Sequence, residues 1–236
     1  MSMTTNAILS VNANDTFSTT ILNSSLTQHA PLPNPTSIAM TIAKEMLDDP
    51  REYSDFTSKA KALKRLVQRY VNVACLQLPS GLSTAITTRC ILSGSSISSL
   101  YHNEAVKDYD LWMEDFGPNN TELLYMDTLI RNSYADHIAE YSEEYSGMKK
   151  THKVITQNAI TLKNKMQFIT LSEYKDARTT FDFIHCMPYY DLSSEKFFIS
   201  EQQMDVIAKK KLVKNPKGRE PVQWRIDKFL ARGWTF

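Results

Sequence analysis

The sequence predicts an α+β fold, in which a mixed β-sheet is flanked by helices, and three patterns carry this prediction. Apolar residues recur every three or four positions over residues 54–78, which is typical of an amphipathic helix. Apolar and acidic residues alternate over residues 107–113, which indicates a strand with one face in a core. Residues 158–162 and 166–171, joined by a short polar turn, are typical of a β-hairpin.

Length and composition limit the class of protein. A chain of 236 residues can form one sizeable core, or one domain with an appendage. The formal net charge is +1, so any affinity for nucleic acid must come from a local patch of charge. Uninterrupted apolar runs are too short to span a bilayer, so no membrane partner is expected. Three cysteines without paired spacing, and the lack of a secretion signal pattern, favour reduced thiols in a cytoplasmic setting.

Composition divides the chain into three predicted segments. Residues 1–36 are rich in Ser, Thr, Asn and Pro and have little to bury, which predicts an extended or disordered arm. Residues 37–85 form a helical segment, with one helix ending near Pro50 and a second one stopped by Pro79. Residues 86–236 form the main domain. Within it, residues 119–141 carry an apolar stripe that predicts one long helix.

The stretch from Cys90 to Trp112 contains the residues most indicative of chemistry. A short apolar strand ends at Gly94 and Ser95, and the next predicted strand carries Asp108 and Asp110. Residues i and i+2 of a strand share one face, so the two carboxylates project together, about 6–7 Å apart. Two such carboxylates can chelate Mg²⁺, which prefers oxygen ligands and shares its shell with phosphates. Gly94 allows close approach of a phosphate, and Ser95 at a helix start suits an anion.

Two later segments carry a further acid and several bases. Residues 181–186 are expected to form a strand bearing Asp182, which alternates with Phe181 and Phe183. A helix is expected over residues 221–231, with Trp224 and Phe229 in the core. The bases at 209–219 fit two interpretations equally, a nucleic-acid contact or a solvated surface.

These residues carry a resemblance to a known group of proteins. Gly94 and Ser95, separated by twelve residues from Asp108-Tyr109-Asp110-Leu111, resemble the signature of the DNA polymerase β-like nucleotidyltransferase superfamily. Residues 158–162, 181–186 and 225–234 are similar to nucleotidyltransferase-like proteins of tailed bacteriophages. The resemblance implies a nucleotidyltransferase-like sheet for residues 86–236 and says little about the first 85 residues.

The resemblance also implies an activity, which is metal-dependent transfer of a nucleotidyl group from a nucleoside triphosphate. Two Mg²⁺ ions would be held by three carboxylates, those of Asp108, Asp110 and Asp182. The nucleotide would be bound by Gly94, Ser95, Lys107, Arg225 and Arg232. The acceptor stays open between an RNA end, a protein side chain and a small molecule, and the expected location is the host cytoplasm.

A rival interpretation is that the protein catalyses no reaction. In it the nucleotidyltransferase fold is catalytically silent and serves as a structural or assembly component of a phage virion. The N-terminal arm would then contact phage structural proteins, and the protein would be located in the virion. The clustered acids favour the enzyme, because like charges repel unless cations neutralise them.

Overall fold

A six-stranded mixed sheet forms the centre of the described part of the chain, which in this computed structural model comprises residues 49–145 and 148–236. The strands of this sheet are β1 (Cys90–Ser93), β2 (Tyr109–Met113), β5 (Ala159–Thr161), β6 (Met166–Ile169), β7 (Tyr189–Asp191) and β8 (Lys196–Phe198). A separate antiparallel hairpin consists of β3 (Glu140–Tyr145) and β4 (Met148–Lys153). The helices are α1 (Phe56–Leu76), α2 (Ser80–Arg89), α3 (Ser95–Tyr101), α4 (Thr121–Thr128), α5 (Tyr174–Thr180), α6 (Glu201–Ala208) and α7 (Gln223–Leu230).

The strand order across the sheet is β5-β6-β2-β1-β7-β8. Strand β2 pairs in parallel with β6, and the other neighbouring strands pair antiparallel. The predicted α+β class, with a mixed sheet flanked by helices, is therefore confirmed.

The sheet buries both of its faces. On one face Leu92, Leu111 and Phe168 belong to the same apolar cluster as buried residues of α1, α2, α3 and α6. On the other face Ile91 belongs to a smaller cluster, with Trp112 packed against it. Its other members come from α5 onward and are Tyr174, Phe181, Phe183, Cys186, Leu212, Phe229 and Trp234. This second face also carries the acidic residue of β2.

Several predicted elements are confirmed. Helix α1 covers most of the predicted stripe, and Asp55 caps its start by accepting a hydrogen bond from the Ser58 N–H at 2.8 Å. The predicted hairpin is the antiparallel pair β5–β6. Helix α7 lies within the range predicted for it. Helix α2 is not predicted, because the sequence indicates a stop at Pro79. Pro79 instead stands at the N-cap of this new helix, where its φ of −55° lies in the range that the proline ring imposes.

The prediction of one long helix over residues 119–141 is wrong. Helix α4 ends at Thr128, a π-helical turn follows over Leu129–Ser133, and the chain then leaves the helix. Beyond it the Ala139 N–H donates to the Thr161 carbonyl at 2.8 Å, so this segment joins the edge of the sheet. Ile138 does lie in the core, as its place in the stripe implies, but it reaches the core from an extended backbone.

The prediction of a strand over residues 181–186 is also wrong. Phe183 makes an isolated bridge with Lys214, and Ile184–Cys186 is a turn of 3-10 helix. Phe181 and Phe183 are buried, as the alternation predicts. Asp182 between them is buried as well, with 1% of its surface exposed, because an arginine of α7 covers it.

The predicted arm over residues 1–36, and all but the end of the first predicted helix, lie outside the described residues. The division of the chain at residues 36 and 85 stays a prediction. In the described ranges every helix is too short or too polar to cross a lipid bilayer.

Candidate functional site

The corner after β1 is built around Gly94. Its φ of 106° lies in the region that favours glycine, and an added Cβ would lie 2.6 Å from Oδ2 of Asp110. The Cys186 carbonyl accepts hydrogen bonds from the Gly94 N–H at 3.1 Å and from the Ser93 hydroxyl at 3.2 Å. The corner is therefore fixed to the 3-10 turn behind it, and its open side faces a carboxylate.

Strand β2 supplies that carboxylate by its alternation. Tyr109, Leu111 and Met113 are buried, whereas Asp110 and Trp112 are half-buried on the opposite face. Asp108 immediately precedes the strand, and both of these aspartates line the same pocket. The structure thus brings Asp108 and Asp110 together beside Gly94.

The pocket has a volume of about 360 Å³. Of the residues predicted to bind nucleotide, Gly94, Ser95, Lys107 and Arg225 line it. The other lining residues are Trp112, Gln167, Leu171, Ser172, Ala177, Thr180, Phe181, Cys186, Arg219, Trp224 and Lys228. Acids at the start of β2 and bases that include two from α7 therefore share one cavity, and the bases are suited to an anionic ligand.

The charges in this pocket shift the ionisation of its groups. Burial raises the pKa of Asp110 to about 7, and the negative charge of Asp108 adds to this effect. Lys228, Arg225 and Lys107 act in the opposite direction on the same carboxyl group. Burial also lowers the pKa of Lys228, together with the positive charges of Arg225 and Lys107. Burial raises the pKa of the Cys186 thiol to about 12, so this cysteine is not a thiolate nucleophile at neutral pH.

Asp182 does not line the pocket. Its carboxylate accepts two hydrogen bonds from the Arg225 guanidinium, from Nε and, at 3.0 Å, from Nη2. It also accepts from the Phe183 N–H at 3.0 Å. Asp182 therefore holds Arg225, and Arg225 in turn reaches the pocket that contains Asp110.

Arg232 also lies outside the pocket lining. Its guanidinium pairs with Glu104 at 2.6 Å and donates to the Ser99 hydroxyl at 2.5 Å. Lys210 donates to the same Glu104 carboxylate at 2.5 Å and to the Arg232 carbonyl at 3.0 Å. This cluster fastens the C-terminal end of α7 to the segment that follows α3.

The pocket residues that the sequence prediction missed include Gln167, Lys228, Arg219 and Trp224. Gln167 is the half-buried polar residue of an otherwise buried β6, the same signal that identified Asp110. Lys228 follows Arg225 by three positions, which places both on one face of a helix. Arg219 belongs to the basic run. Trp224, expected in the core, is 63% exposed at the pocket, whereas Phe229 is fully buried as expected.

The donor atoms fit a hard divalent cation, but not through three carboxylates. Among residues 49–145 and 148–236, no group of three or more His, Cys, Asp or Glu side chains is arranged to hold a metal ion. Asp108 and Asp110 nevertheless offer carboxylate oxygens in one cavity, and the described residues donate no hydrogen bond to Asp110. Carboxylate oxygens are the ligands that Mg²⁺ prefers.

Two solved structures show likeness to the chain. One is a "tRNA-processing enzyme (apo form I)", with 11% sequence identity and a TM-score of 0.34 over 60% of this chain and 35% of that chain. The other is the Thermotoga maritima CCA-adding enzyme in complex with tRNA, with 9% identity and a TM-score of 0.37 over 69% of this chain and 46% of that chain. The chain thus spans less than half the length of either, and neither likeness assigns a substrate to it.

No curated protein matches the sequence. The model of the Gabija anti-defense 2 (Gad2) family matches residues 58–210. The match begins in α1 and ends just after α6, so it includes the whole six-stranded sheet and both aspartates of the pocket. Because it covers more than half of the sequence, the chain belongs to the Gabija anti-defense 2 family.

Proposed function

We propose that this protein is a metal-dependent nucleotidyltransferase that acts against Gabija defence by transferring a nucleotidyl group from a nucleoside triphosphate to an acceptor. The observation that carries the proposal is that Asp108 and Asp110 share one pocket with Gly94 and four basic side chains, with Asp110 directly against Gly94. The family name contributes the anti-defence context. The resemblance of these motifs to nucleotidyltransferases, phage proteins among them, contributes the reaction.

The acids and the corner have distinct roles. Asp108 and Asp110 would hold Mg²⁺, and the bound ion would supply activation of an acceptor hydroxyl and charge neutralisation for the leaving pyrophosphate. Gly94 leaves room for the triphosphate, because a side chain here would occupy the space in front of Asp110. Ser95 begins α3 next to this space and contributes a hydroxyl to phosphate binding.

The bases bind and orient the phosphates. Lys107, Arg219, Arg225 and Lys228 line the same pocket. Asp182 acts here as a positioning residue, because its two hydrogen bonds fix the plane of the Arg225 guanidinium. This role replaces the metal-ligand role expected for Asp182 from the sequence.

The experiment measures nucleotide binding and transfer with the full chain. We expect Mg²⁺ with at least one nucleoside triphosphate to raise the melting temperature, and Asp108→Ala and Asp110→Ala to abolish that rise. Asp205→Ala is the matched control, because Asp205 is an exposed acid of α6 that pairs with Lys209. Incubation with triphosphates labelled at the α-phosphate, together with RNA and protein from Gabija-expressing cells, would then identify the acceptor among RNA ends, protein side chains and small molecules.

A second candidate is a catalytically silent member of the same fold that acts by binding. The observation that favours it is the engagement of Asp182 by Arg225, which leaves two carboxylates in the pocket where the resemblance implies three. In this case the triphosphate would stabilise the protein without transfer of label. A variant that loses nucleotide binding and still blocks Gabija would place the anti-defence function outside this pocket.

A further inference from the structure

We infer that Gln167 supplies a third oxygen donor, its side-chain amide oxygen, to the divalent cation of this pocket. The inference rests on the proposed function, since it concerns the same cation. It also explains how the pocket can bind the cation without the third carboxylate that Asp182 was expected to contribute.

The first observation is the register of the sheet. Asp110 of β2 lies beside Gln167 of β6, and Gln167 lies beside Thr161 of β5. Paired residues of adjacent strands point to the same face, and neighbouring strands lie about 4.8 Å apart. The three polar side chains therefore form a row across three strands, with Gln167 in reach of the space before Asp110.

The second observation is the burial of the neighbouring residues. Ile160, Leu111 and Phe168, which point to the other face of the same strands, are fully buried. Met166 and Ile169 of β6 are buried as well. A half-buried glutamine in such a strand is unusual for the core, and it lines the pocket that contains both aspartates.

The third observation is the hydrogen bond that orients the amide. Gln167 Nε2 donates to the Thr161 hydroxyl at 3.0 Å. This bond uses the nitrogen side of the amide, and no residue in the described ranges donates a hydrogen bond to its oxygen. The bond to Thr161 therefore leaves the amide oxygen free to bind a ligand in a pocket lined by acids and bases.

The chemistry of the row suits a hard cation. Amide oxygens of Asn and Gln are established ligands of divalent cations that prefer oxygen. A neutral donor next to two carboxylates also adds no further repulsion to the empty pocket. Thr161 is then a positioning residue, because it keeps the nitrogen of the amide turned away from the cation.

The experiment measures binding of Mn²⁺ to the full chain by calorimetry, with Mn²⁺ as the probe for the cation. We expect Gln167→Leu to weaken binding by at least about ten-fold, and Thr161→Val to weaken it by about ten-fold. Thr161→Ser keeps the hydroxyl and should recover most of the loss. Gln167→Glu should tighten binding by about ten-fold, since it adds a charge beside the cation.

The same variants test the structure of the empty pocket. Without Mn²⁺, Gln167→Glu should melt at a lower temperature than the wild type, because three carboxylates then repel one another. Added Mn²⁺ should raise the melting temperature of the variant back to that of the wild type. Gln157→Glu makes the same change at an exposed position outside the pocket and should alter neither Mn²⁺ affinity nor its effect on melting. If Gln167→Leu does not fold, Gln167→Asn replaces it, because the shorter side chain withdraws the oxygen.

The outcomes separate this inference from the proposed function. Mn²⁺ binding that is lost in Asp110→Ala but equal in the wild type and all Gln167 variants would overturn the role of Gln167 and leave the proposed function in place. A wild-type protein that binds no Mn²⁺ would overturn both. Binding that responds to Gln167 as described, in a protein that transfers no label, would support the cation site alone.

Discussion

Two features of the structure require glycine at position 94. Its backbone conformation disfavours side chains, and the carboxylate of Asp110 lies in the space that a Cβ would fill. Gly233 has only the first of these features. Its φ is 79°, but the nearest atom to an added Cβ is the Lys210 Nζ at 3.9 Å. Comparing alanine variants at these two positions therefore separates the cost of backbone strain from the effect of crowding the pocket.

We expect Gly94→Ala to lower the free energy of unfolding by about 1–3 kcal/mol and to displace Asp110. Gly233→Ala should cost about 1 kcal/mol, from the backbone alone. Urea unfolding measures both costs, and Mn²⁺ binding should weaken only in the Gly94 variant. Equal effects of the two variants on Mn²⁺ binding would contradict the close approach of Gly94 to Asp110.

His185 is a buried group outside the pocket. It is fully buried. The centroid of its ring lies 4.0 Å from the ring centroid of Trp234 and 4.5 Å from that of Phe229. Neither ring nitrogen has a hydrogen-bond partner among the described residues. Burial lowers its pKa to about 3 from the ordinary 6.5, and the positive charges of Arg225, Arg232 and Lys228 act in the same direction.

This pKa predicts a dependence of stability on pH. As the pH falls from about 6.5 to about 3, the unfolded chain binds a proton at this histidine and the folded chain does not, so stability is lost at about 1.4 kcal/mol per pH unit. His185→Leu should remove this part of the slope in urea unfolding measured from pH 8 to pH 4. An unchanged slope in His185→Leu would count against the neutral, buried imidazole.

At the scale of elements, α7 contributes Trp224, Arg225 and Lys228 to the lining of the pocket, and it is held at both ends. Arg225 near its start pairs with buried Asp182, and Arg232 just after its end pairs with Glu104. Burial raises the pKa of Glu104, but hydrogen bonds from Lys210 and Arg232 outweigh it, and the net direction is downward. The position of Lys228 in the pocket follows from these two attachments.

We expect Asp182→Asn to lower the free energy of unfolding by about 3 kcal/mol, because it leaves the Arg225 charge partly buried without a carboxylate. Hydrogen exchange at the amides of α7 should accelerate in the same variant, while exchange in the sheet should change less. Asp205→Asn, which breaks an exposed ion pair with Lys209, should cost less than about 1 kcal/mol. A cost for Asp182→Asn as small as that of the control would mean that the pair does not hold α7.

The elements predicted correctly are those in which a local pattern decides the structure. The apolar stripe of α1 and the strand pairing of the hairpin β5–β6 each lie within one short segment of the sequence. Residues 134–141 continued the helical spacing by coincidence, because the pairing of Ala139 with Thr161 decides their backbone. The environment of Asp182 is likewise decided by a contact distant in the sequence. Its alternation with two phenylalanines is a local pattern, but its role depends on the ion pair with Arg225, which no local pattern indicates.

At the scale of the whole molecule, the pocket and the hairpin β3–β4 are independent features. The hairpin forms its own two-stranded sheet, its Glu and Lys residues face each other across the strands, and none of its described residues lines the pocket. The pocket, by contrast, draws on β2, β6, α5 and α7. The acids and the glycine corner of the site could be predicted because they lie within one short stretch. Of the bases, Lys107 and Arg225 were also expected, whereas Arg219 and Lys228 were not, because their place in the pocket depends on tertiary packing.

Replacement of residues 141–152 by Asn-Gly should therefore leave the protein folded. Glu140 and Lys153 face each other in the register, so a two-residue turn can join them. We expect the free energy of unfolding to change by less than about 1 kcal/mol, and Mn²⁺ binding to stay the same. Loss of a cooperative urea transition would show instead that the hairpin supports the sheet.

The strand order has a consequence for how quickly the chain folds. The two central strands, β1 and β2, pair with each other, but their other neighbours, β7 and β6, come much later in the sequence. Closing such long loops is slow compared with forming local contacts, so the newly made chain should pass through a period in which the outer edges of this central pair are unpaired. In that period another copy could occupy those edges, and refolding yield should fall as the protein concentration rises.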